Sequence, residues 1–486
     1  MLDYTFKKYN NFLGWLSFLI ALIVYSLTVE PTTSFWDCGE YITTSAKLQL
    51  GHPPGAPLFQ MIGAFFAMFA LEKSQIALMV NMMSVFSSAF TILFLFWSTT
   101  ILIKNSLKNH IEITKPQEWA ILGSAFIAAL SFTFTDTFWY NAVEAEVYAM
   151  ATTFIALLLW MGLKWQERMF EPSGNRWLLG IALACGLSFG VHIMALLVIP
   201  TIGMLYFFKH YPNVTWKNFV IANILCVGVL MFIFAGVVPF TLELFGRGEI
   251  FLVNSFGLPF GWGTNVIFLT YAFVFVWALY YTQKKNYAQA NTAVLSIMFV
   301  IIGFSCWMML PIRSNAKPPI NENRPSDAVE MLNYYNREQY GSNSLTYGPQ
   351  FTDMFAGLDE DNPYSDINKN YDRDVESGKY VVVNHWKQAK PNPNSEHCSI
   401  LPRLWSSEHA ENYLSWTGSL DFRINPNYEY QRELMEIGVD LENITEEQYY
   451  EIIGKLREDT EKTITQFRTA YQSGRIDNED ISPANV

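Results

Sequence analysis

Two acids three residues apart, Asp37 and Glu40, stand in the run Phe35-Trp36-Asp37-Cys38-Gly39-Glu40-Tyr41, directly after the first long apolar stretch. On a short helix that spacing puts both carboxylates on one face, where one can take a proton and the other support it. Simple solvation of a loop is the plainer alternative. Further on, Gly51-His52-Pro53-Pro54-Gly55-Ala56-Pro57 forms a stiff turn that holds one histidine beside an apolar segment, and rigid loops of this kind tend to carry functional groups. A lone histidine is more often structural, but this one follows an acidic pair.

A second acidic group, Glu144 and Glu146, lies in the aromatic run that begins Phe138-Trp139-Tyr140 and ends at Tyr148. The aromatics fit an interfacial belt, which needs no acid. If the segment is helical, carboxylates at i and i+2 point to different sides, so at most one faces a shared cavity. His192, in Gly190-Val191-His192-Ile193-Met194, stands between two apolar segments, where a hydrogen bond within a helix bundle and a site role are both open. Arg247 and Arg313 are scarce cations that could hold a phosphate through two parallel hydrogen bonds. Snorkelling to lipid headgroups is the alternative for both.

The elements that must carry these residues are apolar helices. Of 486 residues 51% are hydrophobic, and mean hydropathy is +0.14, which points to a bilayer. The net charge of −12 is confined to the tail: residues 1–310 hold 15 Lys/Arg against 14 Asp/Glu, residues 311–486 hold 17 against 30. A membrane domain (1–310) followed by a solvated α+β region (311–486) is therefore expected, with no nucleic-acid partner. The five cysteines show no paired spacing, hence no disulfide framework or zinc site. Lys7 and Lys8 precede an apolar run without a small-residue cleavage site, which reads as a retained first helix.

Eight stretches are long enough, or nearly so, to span: 12–27, 76–103, 119–134, 147–163, 193–208, 219–240, 266–281 and 294–310. A shorter, Gly-rich ninth covers 177–191. The segment 57–71 is apolar but short, and whether it crosses sets the sidedness of everything after it. If it lies along the interface, 12 of the 15 basic residues before 311 are cytoplasmic and only Lys47, Lys73 and Arg247 lie outside. If it crosses, only Lys7, Lys8, Lys73 and Arg247 stay inside. The positive-inside rule selects the first topology, with the N-terminus inside and outer loops at 29–75, 135–146 and 241–265. Beyond residue 310 the pattern predicts a helix over 326–340, a strand at 380–383 and an amphipathic helix over 444–471. Two Asn-X-Thr triplets, at Asn213 and Asn443, match the N-glycosylation pattern.

An acidic motif after the first span, followed by His-Pro-Pro and a membrane-parallel helix, resembles the protein O-mannosyltransferases and, more broadly, the GT-C superfamily. The chain is most similar to a membrane family, common in Bacteroidetes and long known only as a domain of unknown function, that includes the eukaryotic O-mannosyltransferase of IPT domains. The matching residues are Trp36-Asp37-Cys38-Gly39-Glu40, His52-Pro53-Pro54-Gly55-Ala56-Pro57, Val143-Glu144-Ala145-Glu146-Val147-Tyr148, Gly186-Leu187-Ser188 with Gly190-Val191-His192, Pro318-Pro319-Ile320-Asn321-Glu322 and Asn336-Arg337-Glu338-Gln339-Tyr340-Gly341. Leu401-Pro402-Arg403-Leu404-Trp405-Ser406 also looks like the family. Bacterial members continue past the point where this chain stops, so a fragment, a split product and a short member are all open.

The resemblance implies a polytopic helical bundle of GT-C type that moves mannose from a polyprenyl phosphate to Ser or Thr of an exported protein, with inversion. In a bacterium the site would face the periplasm from the inner membrane. Asp37 would be the base with Glu40 a supporting or alternative base, Arg247 and Arg313 would hold the leaving phosphate, and His52, Glu144, Glu146 and His192 would orient the substrates. A lipid monophosphate leaving group requires no metal and no other cofactor. A transporter and a non-catalytic subunit of a glycosylation complex are the rival classes.

Overall fold

The computed structural model describes residues 4–107, 113–171, 173–340, 344–353, 357–359, 361–417, 430–439 and 444–473. Gly341 and Asn443, named above, lie outside them. The described chain falls into two compact units, Met1–Gln339 with Asp374–Tyr380, and Tyr340–Arg373 with Val381–Val486. The first unit thus runs past residue 310, because residues 311–339 pack on the helical bundle.

The first unit is built from α1 (Tyr4–Leu27), α2 (Cys38–Lys47), α3 (Pro57–Ala67), α4 (Ile76–Ser106), α5 (Lys115–Thr133), α6 (Asp136–Ala142), α7 (Val147–Arg168) and α8 (Asn175–Ser188). It continues through α9 (Ile199–His210), α10 (Trp216–Met231), α11 (Val238–Phe256), α12 (Trp262–Lys284), α13 (Ala288–Phe304), α14 (Met309–Asn315) and α15 (Ala328–Asn336). Among the described residues seven helical stretches are long and apolar enough to cross a membrane, and α5 with α6, bent by 67°, makes an eighth if the pair is one span. Many of them are apolar on faces that no described residue covers. In the most apolar window of α12 only 6% of residues are buried, the signature of a helix whose solvent is lipid. This is an integral membrane protein.

The ninth expected span is the difference. It is α8, a helix of 14 residues, about 21 Å long and short of the ~30 Å hydrocarbon core. The expected outer loop at 241–265 is mostly helix: α10 runs through a π-helical turn, Phe232–Val237, into α11, and only a short turn precedes α12. At 11 residues α3 is about 17 Å long, too short to cross, as the charge distribution requires.

Two opposite ends of the bundle can be told apart. At one, Lys104 of α4 and Lys164 of α7 both bind Glu167, at 3.2 and 3.0 Å. At the other, Asn81 of α4 donates to the carbonyls of Glu30 and Thr32, at 2.7 and 2.8 Å. The intervening turns of α4 separate the two ends by about 35 Å, a membrane thickness with the basic groups on one side and the acidic loops on the other.

In the second unit β1 (Tyr347–Pro349) pairs antiparallel with β6 (Cys398–Ile400), and β2 (Tyr364–Ser365) with β5 (Lys390–Pro391). Short helices α16 (Ala410–Thr417) and α17 (Gln431–Glu436) precede α18 (Glu446–Gln472), where the amphipathic pattern predicted a helix. A small core joins Phe351, Ala410 and Leu414. Ahead of this unit, α15 occupies the predicted helix, capped by Asp327, whose carboxylate accepts the amides of Val329 and Glu330. The predicted strand at 380–383 is Lys379–Val382.

Candidate active site

Helix α2 starts at Asp37 because the chain turns there. Trp36 adopts a left-handed backbone (φ 61°), and Asp37 takes the N-cap position without spending its carboxylate on the helix. The helix buries Cys38, Tyr41, Ile42, Thr44 and Ser45 on one face. Its other end is closed by Arg313, whose Nε donates to the carbonyl of Leu48 at 2.6 Å and whose guanidinium donates to that of Lys47 at 3.0 Å.

The chain then doubles back through Gly51–Ala56 to bring His52 onto Glu40. The His52 amide donates to Glu40 Oε1 at 2.6 Å, and His52 Nδ1 lies 2.9 Å from Glu40 Oε2. His52 Nε2 points the other way, 3.9 Å from Asp37 Oδ2. A β-carbon on Gly51 would run into the Glu40 carboxylate, so this approach requires glycine. Gly55 (φ 73°) is tied from above, since its missing side chain leaves room for Tyr334. The Tyr334 hydroxyl, on α15, donates to the carbonyls of Gly51 and His52, at 2.6 and 3.3 Å. Leu50 and Asn321 form a parallel bridge beside them.

Glu144 and Glu146 complete the group. Both are buried, 4% and 7% exposed; burial pushes the Cys38 thiol up to about 11, and the charges of Glu144 and Glu146 add to it. The expectation that at most one would face a shared cavity assumed a helix. They lie instead in the turn before α7, where alternation does not apply. Glu146 caps α7, accepting the Val147 amide at 3.0 Å. Burial pushes its carboxyl up to about 7, against that hydrogen bond, with further help from the charges of Asp37 and Glu144. Burial also raises Glu144, and the nearby Ser34 hydroxyl works against it.

Glu40 and His52 behave as an ion pair. Burial opposes ionisation of Glu40, but the His52 hydrogen bonds and charge outweigh it and hold the carboxyl below its usual range. The hydrogen bond to Glu40 raises His52 against the effect of burial, and the charges of Glu40, Asp37 and Glu322 add to it. The result is one histidine among four acidic side chains, with Asp37 the exposed member, its side chain 54% accessible. Asp37, Glu40 and His52 also offer three ligand atoms within 4.8 Å of one another, a set that could take a divalent ion. Each Glu40 oxygen already accepts one bond from His52, so an ion would use the remaining lone pair.

His192 lies in the connection after α8. The Gly190 carbonyl accepts the amides of Leu58 and Phe59, His192 Nδ1 accepts the Met194 amide at 3.1 Å, and Tyr148 packs on its ring at 5.4 Å. Burial lowers its pKa, leaving a neutral ring with Nε2–H as a donor. The two arginines are placed differently. Arg247 is exposed on α11 and pairs with Glu243 at 3.3 Å. Arg313 closes the far end of α2, about 15 Å along a ten-residue helix from Asp37. Two of its five N–H donors cap the helix through the Leu48 and Lys47 carbonyls.

Sequence reading missed Glu322, Ser34 and Tyr334. Glu322 stands in the Pro-Pro-Ile-Asn-Glu motif, but nothing local says that it returns to His52. Buried Glu249, within the expected outer loop 241–265, accepts the amides of Gly261 and Thr264 and so caps α12.

Fold and site define a class: a polytopic membrane protein with an acid–histidine cluster at the acidic end of its bundle. Comparison with known proteins narrows it. Residues 37–215 match the model of the protein O-mannosyl-transferase TMEM260 N-terminal domain, a segment that includes Asp37, Glu40, His52, Glu144, Glu146 and His192. Residues 341–461 match a family of unknown function, DUF8416. The chain is 26% identical over 221 residues to protein O-mannosyl-transferase tmem260 of Dictyostelium discoideum, 43% of this chain and 25% of that one. Over 171 residues it is 26% identical to the Mus musculus protein O-mannosyl-transferase TMEM260, 35% of this chain and 22% of that one. The aligned part is thus about a quarter of these relatives' length. No solved structure matches the chain.

Proposed function

We propose that this protein is a protein O-mannosyltransferase of the GT-C type, using a polyprenyl-phosphate-linked mannose and a Ser or Thr hydroxyl of an exported protein. The observation that carries the reading is the exposed carboxylate of Asp37, beside a histidine locked on Glu40, inside the segment that matches the transferase family.

Asp37 accepts the acceptor proton as the hydroxyl oxygen attacks the anomeric carbon. The bond from that carbon to the carrier phosphate breaks, the lipid monophosphate leaves with the electron pair, and the configuration inverts. His52 orients Asp37 and offsets the repulsion among the acids. Glu144, Glu146 and His192 hold sugar and acceptor hydroxyls. Arg247 takes the leaving phosphate by exchanging its exposed bond to Glu243, while Arg313 acts only through the position of α2.

A lipid-linked donor is supported by two apolar cavities. One of about 650 Å³ is lined by Tyr206, Cys226, Val229 and Val300. The second, of about 560 Å³, shares Phe232, Val237 and Ile297 with it and reaches Glu243, the partner of Arg247. Together they run along the π-helical turn toward a cation, room for an isoprenoid chain ending in a phosphate.

The test supplies purified protein with radiolabelled polyprenyl-phosphate mannose and acceptor peptides. Label on Ser or Thr supports the reading. No transfer from any lipid-linked sugar, with solute movement in vesicles instead, replaces it with transport.

A further inference from the structure

Trp36 combines two features that are each unfavourable. It is 88% exposed, beside Phe35 at 79%, and its backbone is left-handed (φ 61°), a region that side chains other than glycine and asparagine rarely occupy. The surrounding chain enforces this. Up to Thr32 the loop is fixed: the Glu30 amide donates to the Val143 carbonyl at 3.0 Å, Asn81 holds the Glu30 and Thr32 carbonyls, and the Glu30 carboxylate accepts the Thr32 amide at 3.1 Å. From Cys38 the chain is helix. The few residues between must reverse, and the left-handed residue in that turn is a tryptophan where glycine would cost least.

Strain held by its surroundings at the residue before an exposed acid invites a functional reading. We propose that the Trp36 indole is the platform on which the apolar C–H face of the donor's mannose rests during transfer, a reading that builds on the function proposed above. A pyranose presents hydroxyls at its rim and C–H groups on its faces. The carboxylates and His192 suit the rim, and the indole supplies a large flat surface for a face. Consecutive residues then address both partners of the reaction, Trp36 the ring and Asp37 the incoming hydroxyl, with α-carbons about 3.8 Å apart. A tryptophan that only anchors the headgroup layer would need no left-handed backbone.

Trp36→Gly tests this, because it removes the ring and relieves the backbone together, so the fold survives and its thermal midpoint holds or rises. Equilibrium binding is measured for polyprenyl-phosphate mannose and for bare polyprenyl phosphate. The expected result is a tenfold or greater loss of affinity for the mannosylated lipid, little change for the bare one, and recovery to within about threefold in Trp36→Phe. Equal weakening for both lipids would mean that the indole touches the carrier, and unchanged affinity for both would mean that it only anchors; either overturns the proposal while leaving the transferase reading intact. A wild type that binds neither lipid defeats the transferase reading itself, and the platform with it.

Discussion

His52 binds a single carboxylate twice: its amide meets Glu40 Oε1 at 2.6 Å and its Nδ1 meets Oε2 at 2.9 Å. This double bond to one partner fixes the ring so that Nε2 faces Asp37. Glu40→Ala should therefore act through geometry as well as charge. We expect a loss of about 2 kcal/mol, typical of a hydrogen bond to a charged group, seen as a lower thermal midpoint. Mannose transfer should fall at least tenfold, and Glu40→Gln should recover stability better than rate.

Glu146 gives the pH dependence. Its carboxyl lies at about 7 in the fold against 4.5 otherwise. Between these values the native state holds more protons than the unfolded one, so stability falls as pH rises through the window. The full difference is on the order of 3 kcal/mol for a shift of this size. Glu146→Gln keeps an oxygen for the Val147 amide but cannot ionise, so its stability relative to wild type should rise from pH 4.5 to 7 and then level off. Thermal midpoints across that range check it.

Arg313 should behave as a structural clamp. Arg313→Ala exposes the Lys47 and Leu48 carbonyls at the end of α2 and should cost about 1 to 2 kcal/mol. Arg313→Lys should regain only part, because an ammonium cannot reproduce the fork. If Arg313 bound the phosphate instead, the variants would weaken donor binding in a stably folded protein.

Val229 lines the larger cavity. Val229→Trp should fill it and raise the apparent KM for a long-chain carrier several-fold, with a smaller effect on a donor carrying only two or three isoprene units. An equal effect on both donors would place the chain elsewhere.

Much of the site was legible because it is local. Asp37 and Glu40 occupy the N-cap and third positions of one short helix, so their spacing carried the geometry, and the Gly-Pro turn announced a fixed histidine. The membrane helices followed from apolar runs. What escaped depends on contacts far apart in the chain: Arg313 reaches Leu48 across 265 residues, and Tyr334 reaches Gly51 across 283. The break between α5 and α6, the shortness of α8 and the helical continuation into α11 are set by packing, which hydropathy does not record. Glu144 and Glu146 were misjudged in orientation because a turn, not a helix, holds them.

The most direct measurement compares Asp37→Asn with wild type for both donor binding and transfer from polyprenyl-phosphate mannose. The account predicts affinity within a few-fold of wild type and transfer reduced by about a hundredfold or more, the scale of a lost general base. Transfer at the wild-type rate by Asp37→Asn would contradict it.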